Sequence, residues 1–308
     1  MVVAVRCQIL FIITREDCMT PLRRRMTEEL QLRGYASRTI MAYLRVVSQL
    51  ARFYQTSPDR LTEPQIREYL LHLSTERKVA SSTFTQALCG IKFLYEQTLN
   101  RHWPVLELAR PKHEERLPVV LSRDEVQRVL AAVRFPVYRV CLTLIYACGL
   151  RLLEGLRLQV PEIDGARKLV HVRGGKGGKD RLVPIPDAAL ALLRQYWRTH
   201  RDPMWLFPAS ARARRRAARG DAIPPIHPTT LQRAFGQALK ASGIQKRAHV
   251  HTLRHSYATH LLEAGVPIVL LQEYLGHSSP STTAIYTHLT RELRDKAVDP
   301  INALMHGL

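Results

Sequence analysis

Six residues in the second half of this 308-residue chain have side chains suited to phosphate chemistry: Arg151, Lys176, His251, Arg254, His277 and Tyr286. A planar guanidinium can bond two phosphate oxygens at once, so Arg151 and Arg254 could each clamp a phosphate as charge builds in a pentavalent transition state. Lys176 could protonate a leaving oxygen. His251 and His277 could hold or move protons, and a tyrosine hydroxyl can attack phosphorus. Taken together, these are the groups needed to cut a phosphodiester with fixed cations in place of a metal.

Each residue also has a plainer reading. Arg151 follows the helix stop at Gly149, and Glu154 lies three positions on, on the same helical face. Glu154 could hold Arg151 in orientation, or the two could be an ordinary surface pair. The Gly174–Lys179 turn suggests a phosphate loop, but Arg173 and Asp180 stand where that motif needs a glycine and a Ser or Thr. What remains is a hairpin tip presenting lysines: either a solvated turn or a mobile arm that brings Lys176 to a DNA groove. His251, Arg254 and His255 share one helix face. A zinc pair of His251 and His255 fails, because position 252 is Thr and no third ligand is evident. His255 is then assigned a structural role, satisfied by local backbone. His277 follows Gly276 and could cap a helix C-terminus as readily as it could bond a phosphate. Tyr286, between Ile285 and Thr287, could be a packing residue, and its neighbours alone do not make it a nucleophile.

The composition points to a partner. Lys and Arg number 46 against 26 Asp and Glu, a net charge of +20. Such an excess suits a polyanion, nucleic acid first, with solubility or an anionic membrane surface as the alternatives. Cys7, Cys18, Cys89, Cys141 and Cys148 have no metal spacing, and Cys89, Cys141 and Cys148, set in apolar helical patterns, read as buried free thiols in a reducing compartment. No apolar run approaches the roughly 18 residues that span a bilayer. Residues 1–18 hold an apolar stretch, Val2 to Thr14, that is broken by Arg6 and followed by no small-residue cleavage site. They are expected to be a non-functional extension upstream of Met19, with a weak strand or anchor as the alternative.

The elements that must position these residues fall into two groups. Residues 19–100 carry four helical periods: Leu22 to Arg33, a run capped by Ser37, one opened by Thr62 and Pro64, and one opened by Ser82. Residues 101–118, interrupted by Pro104, Pro111 and Pro118, read as a linker with no helix or strand period. Residues 119–308 form the second domain. A capping box at Ser122–Glu125 opens a helix, and an apolar helix runs from Val137 to Cys148. Leu169–Val172 and Arg181–Ile185 are the two strands of a hairpin, and Asp187 caps another helix. Further helices start near Thr230, His251, Pro267 and Ser281, and a last one covers roughly 290–305. Residues 210–220 are a basic loop. The expected fold is mainly α with a small β-sheet: an N-terminal helical bundle followed by an α+β domain.

An arginine in G-L-R-L-L-E, a lysine in a β-hairpin, H-T-L-R-H, L-G-H and a downstream tyrosine occur here in the order and approximate spacing of the tyrosine recombinases, the phage integrase family. The chain resembles that family over roughly residues 19–295. The resemblance implies a core-binding helical domain and a catalytic domain. It makes Tyr286 the nucleophile, Arg151 and Arg254 the phosphate clamps, and Lys176 the general acid for the 5′-hydroxyl leaving group. His251 matches the histidine of box two, and His277 the second histidine, which bonds the scissile phosphate. It further implies a 3′-phosphotyrosyl intermediate and strand exchange through a Holliday junction, with no cofactor and no metal. The implied partner is double-stranded DNA carrying short inverted repeats, bound by a homotetramer that exchanges C-terminal helices. The implied location is the cytoplasm, at the nucleoid, with no membrane. Leu153 stands where a small or polar residue is common, and the basic loop is no general feature of the family. With no arm-binding domain ahead of the bundle, the expected kind is a simple recombinase of the Xer, integron or transposon-associated type. A type IB topoisomerase-like nicking and closing enzyme and a catalytically inactive DNA-binding relative are the alternatives.

Overall fold

The computed structural model describes residues 20–108, 117–174, 180–209, 224–277, 283, 284 and 286. The chain divides into two compact units, one ending at Glu115 and the other beginning at Arg116. The turn carrying Lys176, the basic loop at 210–220, the helix expected at 290–305 and the extension at 1–18 lie outside the described residues, and of the helix expected from Ser281 only 283, 284 and 286 are described, the first two helical.

The first unit packs helices α1 (Pro21–Leu32), α2 (Ser37–Tyr54), α3 (Glu63–Leu71) and α4 (Ser81–Lys92) around an apolar centre. Apolar residues recur at helical spacing, so each helix turns one stripe inward. Met26, Leu30, Leu50, Ile66, Ile91 and Leu94 are essentially removed from water. Tyr95 is buried with them, and its hydroxyl donates to the Pro58 carbonyl at 2.6 Å, whereas the buried Thr98 hydroxyl has no hydrogen-bond partner among the described residues. Thr62 opens α3 as its sequence suggests, with the Gln65 side chain accepting from the Thr62 N–H at 2.9 Å. Ser37 is not a cap but the first residue of α2, after Ala36; α4 opens at Ser81, beside the expected Ser82, and its Cys89, expected to be buried, is exposed. Although the stretch after Asn100 has no helix period in sequence, Val105–Leu108 forms a short turn, α5, whose Val105 N–H donates to Glu63 Oε1 at 3.1 Å.

The second unit is built around two buried helices, α7 (Pro136–Ala147) and α11 (Val250–Glu263), which pack on each other. Before them comes α6 (Arg123–Ala131), opened by the Ser122–Glu125 capping box: Ser122 N–H donates to Glu125 Oε2 at 2.7 Å and Glu125 N–H to Ser122 Oγ at 3.2 Å. Between α7 and α11 lie α8 (Leu152–Leu156), strands β1 (Ile163–Asp164), β2 (Leu169–Val172) and β3 (Arg181–Pro184), then α9 (Asp187–Arg198) and α10 (Pro228–Ala241). Helix α12 (Ile268–Leu275) follows α11. The strands form an antiparallel sheet in the order β1-β2-β3, with Val170 opposite Val183 and Val172 opposite Arg181. The hairpin is the expected one; β1 is an addition to it. Asp187 does not cap α9. It is the first helical residue after Pro186, and it pairs with Lys168 at 2.8 Å.

Helix α11 is buried on nearly every side, which its sequence makes costly because it carries Thr252, Arg254 and Ser256 inside. The cost is offset by bonding: Ser256 Oγ donates to the Thr252 carbonyl and accepts from the Leu121 N–H, both at 2.9 Å.

Candidate active site

Helix α7 ends at Gly149, whose φ of +57° turns the chain sharply. A side chain there would meet the Tyr257 ring at 2.4 Å, so the turn lies directly against α11. Helix α12 ends at Gly276 with a φ of +60°. Helix ends leave carbonyls unpaired and carry partial negative charge, which attracts cations. The site is made from those ends. Arg254, only 1% exposed, reaches from α11 and donates through Nη1 to the Gly149 carbonyl at 2.6 Å and through Nη2 to the Leu275 carbonyl at 2.5 Å. Arg151, the residue before α8, donates through Nη2 to the Gly276 carbonyl at 3.1 Å.

Glu154 binds the arginines together. It accepts from the Arg151 N–H and from Arg151 Nη1, both at 2.8 Å, which is the orienting role its spacing suggests. It also accepts two parallel bonds from Arg181, at 3.0 and 2.7 Å, and lies 4.0 Å from Arg254 Nη1. Burial alone would raise the pKa of this carboxyl, but the bonds and charge of Arg181, then the bonds from Arg151, hold it down to about 2. Arg181 was not expected at the site. Its signal lies in the period of two along β3, which puts Arg181 on the same inward side as Val183. Its Nε also donates to the Tyr274 carbonyl at 2.8 Å. Three guanidiniums around one carboxylate leave a net positive charge of two, desolvated and fixed in place.

His277 continues this network. Its Nε2 lies 3.1 Å from Arg254 Nη2 and its Nδ1 2.9 Å from Thr283 Oγ1. A guanidinium only donates, so Nε2 must accept and Nδ1 carries the proton given to Thr283. Burial, then Arg254, Arg151 and Arg181, pushes the His277 pKa down to about 4, in keeping with a neutral ring. Arg254 itself is pushed down to about 9 by burial and by Arg151, and still carries its charge at neutral pH.

Tyr286 joins the cluster as a buried residue, 1% exposed. Its ring stacks on His277 with centroids 6.5 Å apart and planes 12° apart. Its hydroxyl lies 2.8 Å from His255 Nδ1. His255, expected to be satisfied by local backbone, is therefore the partner of the tyrosine. His251 packs edge-on against His255 with centroids 4.7 Å apart, its own ring partly open to solvent. Burial, followed by the neighbouring His251, His249 and Arg254, pushes His255 to about 4; burial and then Arg254 do the same to His251. The Tyr286 phenol is raised by burial, against a downward pull from Arg254 and Arg151. Five of the six residues singled out in sequence thus fall in this region: Arg254 and His277 are hydrogen-bonded, Arg151 meets Arg254 across Glu154, and His251 and Tyr286 reach them through His255 and through stacking. Lys176 lies outside the described residues. The turn that carries it is pinned at its base, where Asp180 accepts from the Gly174 N–H at 2.9 Å and meets His171 Nε2 at 3.1 Å.

A desolvated cluster of fixed cations beside a buried tyrosine can neutralise a phosphoryl transition state. Residues 119–292 match the phage integrase family, and residues 22–105 match a phage integrase N-terminal SAM-like domain. The chain is 40% identical over 281 residues to the integrase/recombinase y4qK of Sinorhizobium fredii, covering 91% of this chain and 88% of that protein. It is 34% identical over 314 residues to an integrase/recombinase of Escherichia coli, covering 91% and 92%. Among solved structures, a lambda integrase dimer bound to a COC′ core site superposes with a TM-score of 0.69 at 19% identity, covering 86% of this chain and 93% of that one.

Proposed function

Since this chain belongs to the phage integrase family, we propose that it is a site-specific DNA recombinase and that Tyr286 is its nucleophile. The observation that carries this reading is the buried Tyr286 beside His277 and Arg254, in a network that three arginines and one carboxylate hold together.

In this reading Arg151 and Arg254 take the non-bridging oxygens of a scissile phosphate. The Tyr286 oxygen bonds to phosphorus as the bond to the 5′-oxygen breaks. That oxygen leaves as a hydroxyl with a proton from Lys176, delivered by the hairpin tip. The 3′-phosphotyrosine conserves the energy of the broken bond, so a 5′-hydroxyl from a second duplex can reverse the step and exchange strands through a Holliday junction. Charge that a metal would supply elsewhere comes from guanidiniums already positioned, with little reorganisation at the moment of reaction. His277 presents an acceptor at Nε2 to Arg254, so bonding the phosphate requires the ring to take a proton or change tautomer as Arg254 turns to the substrate.

The net charge of +20 supports double-stranded DNA as the partner, and relatives of this chain are named recombinases. We read the working assembly as a homotetramer on short inverted repeats, acting at the nucleoid. Among the described residues no helix is long and apolar enough to cross a membrane. The first unit is read as the core-binding domain and the second as the catalytic domain.

The test is a nicked duplex carrying the repeats that flank the coding sequence, incubated with the protein in EDTA. The wild-type chain is expected to form a covalent protein–DNA complex. Tyr286→Phe is expected to form none while binding the same DNA. A complex that survives Tyr286→Phe, or that needs a divalent metal, removes the assignment. Joining of two separate sites then distinguishes recombination from relaxation of supercoils by a nicking and closing enzyme.

A further inference from the structure

Resting on the reading of Tyr286 as nucleophile, we propose that His255 is a catalytic residue: the group that holds the Tyr286 hydroxyl before cleavage and takes its proton as the oxygen attacks phosphorus. The contact is direct, with Nδ1 2.8 Å from the phenolic oxygen. It joins α11 to the segment after α12, far apart in sequence. Arg254, one position earlier on α11, holds His277, on which the Tyr286 ring stacks. The phenol is thus fixed from two sides, its ring by His277 and its oxygen by His255.

The chemistry requires such a partner. A buried phenol beside desolvated cations is still protonated at neutral pH, because burial raises its pKa more than the arginines lower it. Attack through a protonated oxygen would leave a positive charge on the bridging atom, so the proton must go somewhere as the O–P bond forms. Arg151, Arg181 and Arg254 cannot take it, since guanidinium has no acceptor. His277 directs its two nitrogens at Arg254 and Thr283. His251 packs edge-on against His255. The neutral His255 ring is therefore the acceptor in contact with the oxygen.

The step balances. The Tyr286 O–H bond breaks, the proton passes to His255 Nδ1, the O–P bond forms, the bond to the 5′-oxygen breaks, and Lys176 protonates that oxygen. Reversal returns the proton from His255 to the phenol. An imidazolium next to Arg254 and His251 is disfavoured, which drives the proton back and suits an enzyme that must reseal as readily as it cuts.

Single-turnover cleavage of the nicked duplex by the full-length chain tests the role. His255→Ala is expected to slow covalent-complex formation by about 10²–10⁴-fold, the usual range for a lost general base, and to leave DNA binding within about twofold. Added imidazole is expected to restore the rate in proportion to its free-base form, which a purely structural histidine would not allow. His255→Asn, which can still present an oxygen near the position of Nδ1, is expected to keep the wild-type melting temperature but remain slow. A duplex with a 5′-bridging sulfur, whose thiolate leaves without an acid, is expected to rescue Lys176→Ala but neither His255 variant. If His255→Ala or His255→Asn cleaves within threefold of wild type, or if imidazole rescues His251→Ala and not His255→Ala, the role assigned to His255 is wrong while Tyr286 stands. If wild type itself forms no covalent complex, the nucleophile reading fails and His255 with it.

Discussion

The two units bury different things. The bundle closes over Leu30, Leu50, Ile66, Ile91 and Leu94, and its buried Tyr95 hydroxyl has a carbonyl to donate to. The second unit has an apolar core too, around Leu121, Val129, Ile145 and Val170, but it also closes over Arg254, Arg181 and Tyr286, with Glu154 nearly covered beside them. Apolar burial stabilises directly, whereas burying charge is costly unless partners are built around it, and well-packed apolar residues are often at least as stable in such places. A fold selected for stability alone would resemble the bundle throughout. The second unit departs from that pattern at the helix ends and the β-hairpin that meet around Glu154, which is where the proposed chemistry needs cations kept away from water.

The comparison breaks most sharply at Arg254. Arg254→Ala is expected to lower the cleavage rate by several hundredfold, about 3–4 kcal/mol of transition-state stabilisation, the scale for removing one preorganised donor. Arg254→Lys should recover little of this. An ammonium keeps the charge but cannot reach the Gly149 and Leu275 carbonyls and His277 together, as the planar fork does. Single-turnover covalent-complex formation measures both, and a lysine variant near wild type would show that charge alone is what matters. In the bundle the corresponding change is Leu50→Ala. It is expected to cost about 2–5 kcal/mol of stability through the lost side chain and the cavity left behind. Denaturant unfolding measures it. The cleavage rate constant at saturating DNA should not change, and a large fall there would mean the two units are not as separable as their cores suggest.

Acid should separate them next. His251, His255 and His277 each have a pKa lowered to about 4 in the folded chain, against about 6.5 when unfolded. A base with a lowered pKa favours the fold while it is neutral. This contribution is complete above about pH 6.5 and is lost as pH falls towards 4, because over that window the unfolded chain binds more protons. Glu154, held at about 2, adds a loss of the same sign at still lower pH. The shifted groups buried in the bundle, Tyr69 and Tyr95, are raised by burial and do not titrate in acid. Melting followed between pH 7 and pH 4 is therefore expected to show the second unit weakening more steeply. His255→Asn should flatten that slope, and a parallel fall of both transitions would count against the histidine cluster as its cause.

Much of this was legible in sequence, for reasons that also explain what was not. Helical period and caps found the bundle and the hairpin, because local preferences act there in the same direction as packing. Arg151 and Glu154 were legible as a pair because three residues along a helix bring side chains together. Ser37 and Asp187 misled because a residue that favours caps is tolerated equally well in the first turn. Arg181 and His255 were missed as site residues for a different reason. Arg181 lies across the fold from Glu154, and His255 reaches Tyr286 from another element, so neither partner can be read from neighbours in the chain. Local pattern assigns a face; only the tertiary fold says what that face meets.

The smallest expected effect concerns the bundle's own cations. Arg23 of α1 and Arg45 and Arg52 of α2 line one hollow, and Arg45 and Arg52, seven positions apart, are exposed along one side of α2. Two helical turns separate such residues by about 10.5 Å, a span suited to following a charged backbone and not to gripping one phosphate. Fully solvated cations of this kind act by releasing counterions, without sequence preference. Arg45→Ala is thus expected to weaken DNA binding modestly, by a similar factor for matched and unmatched duplexes, and to reduce the slope of log affinity against log salt by about 1. Titrations at several salt concentrations measure this. Arg254→Ala should change the salt slope far less than it changes the cleavage rate, because its guanidinium is bonded inside the protein. If instead Arg45→Ala impairs cleavage at saturating DNA, the arginines of the bundle do more than attract the duplex, and the division between a screened cationic surface and a desolvated cationic core does not hold.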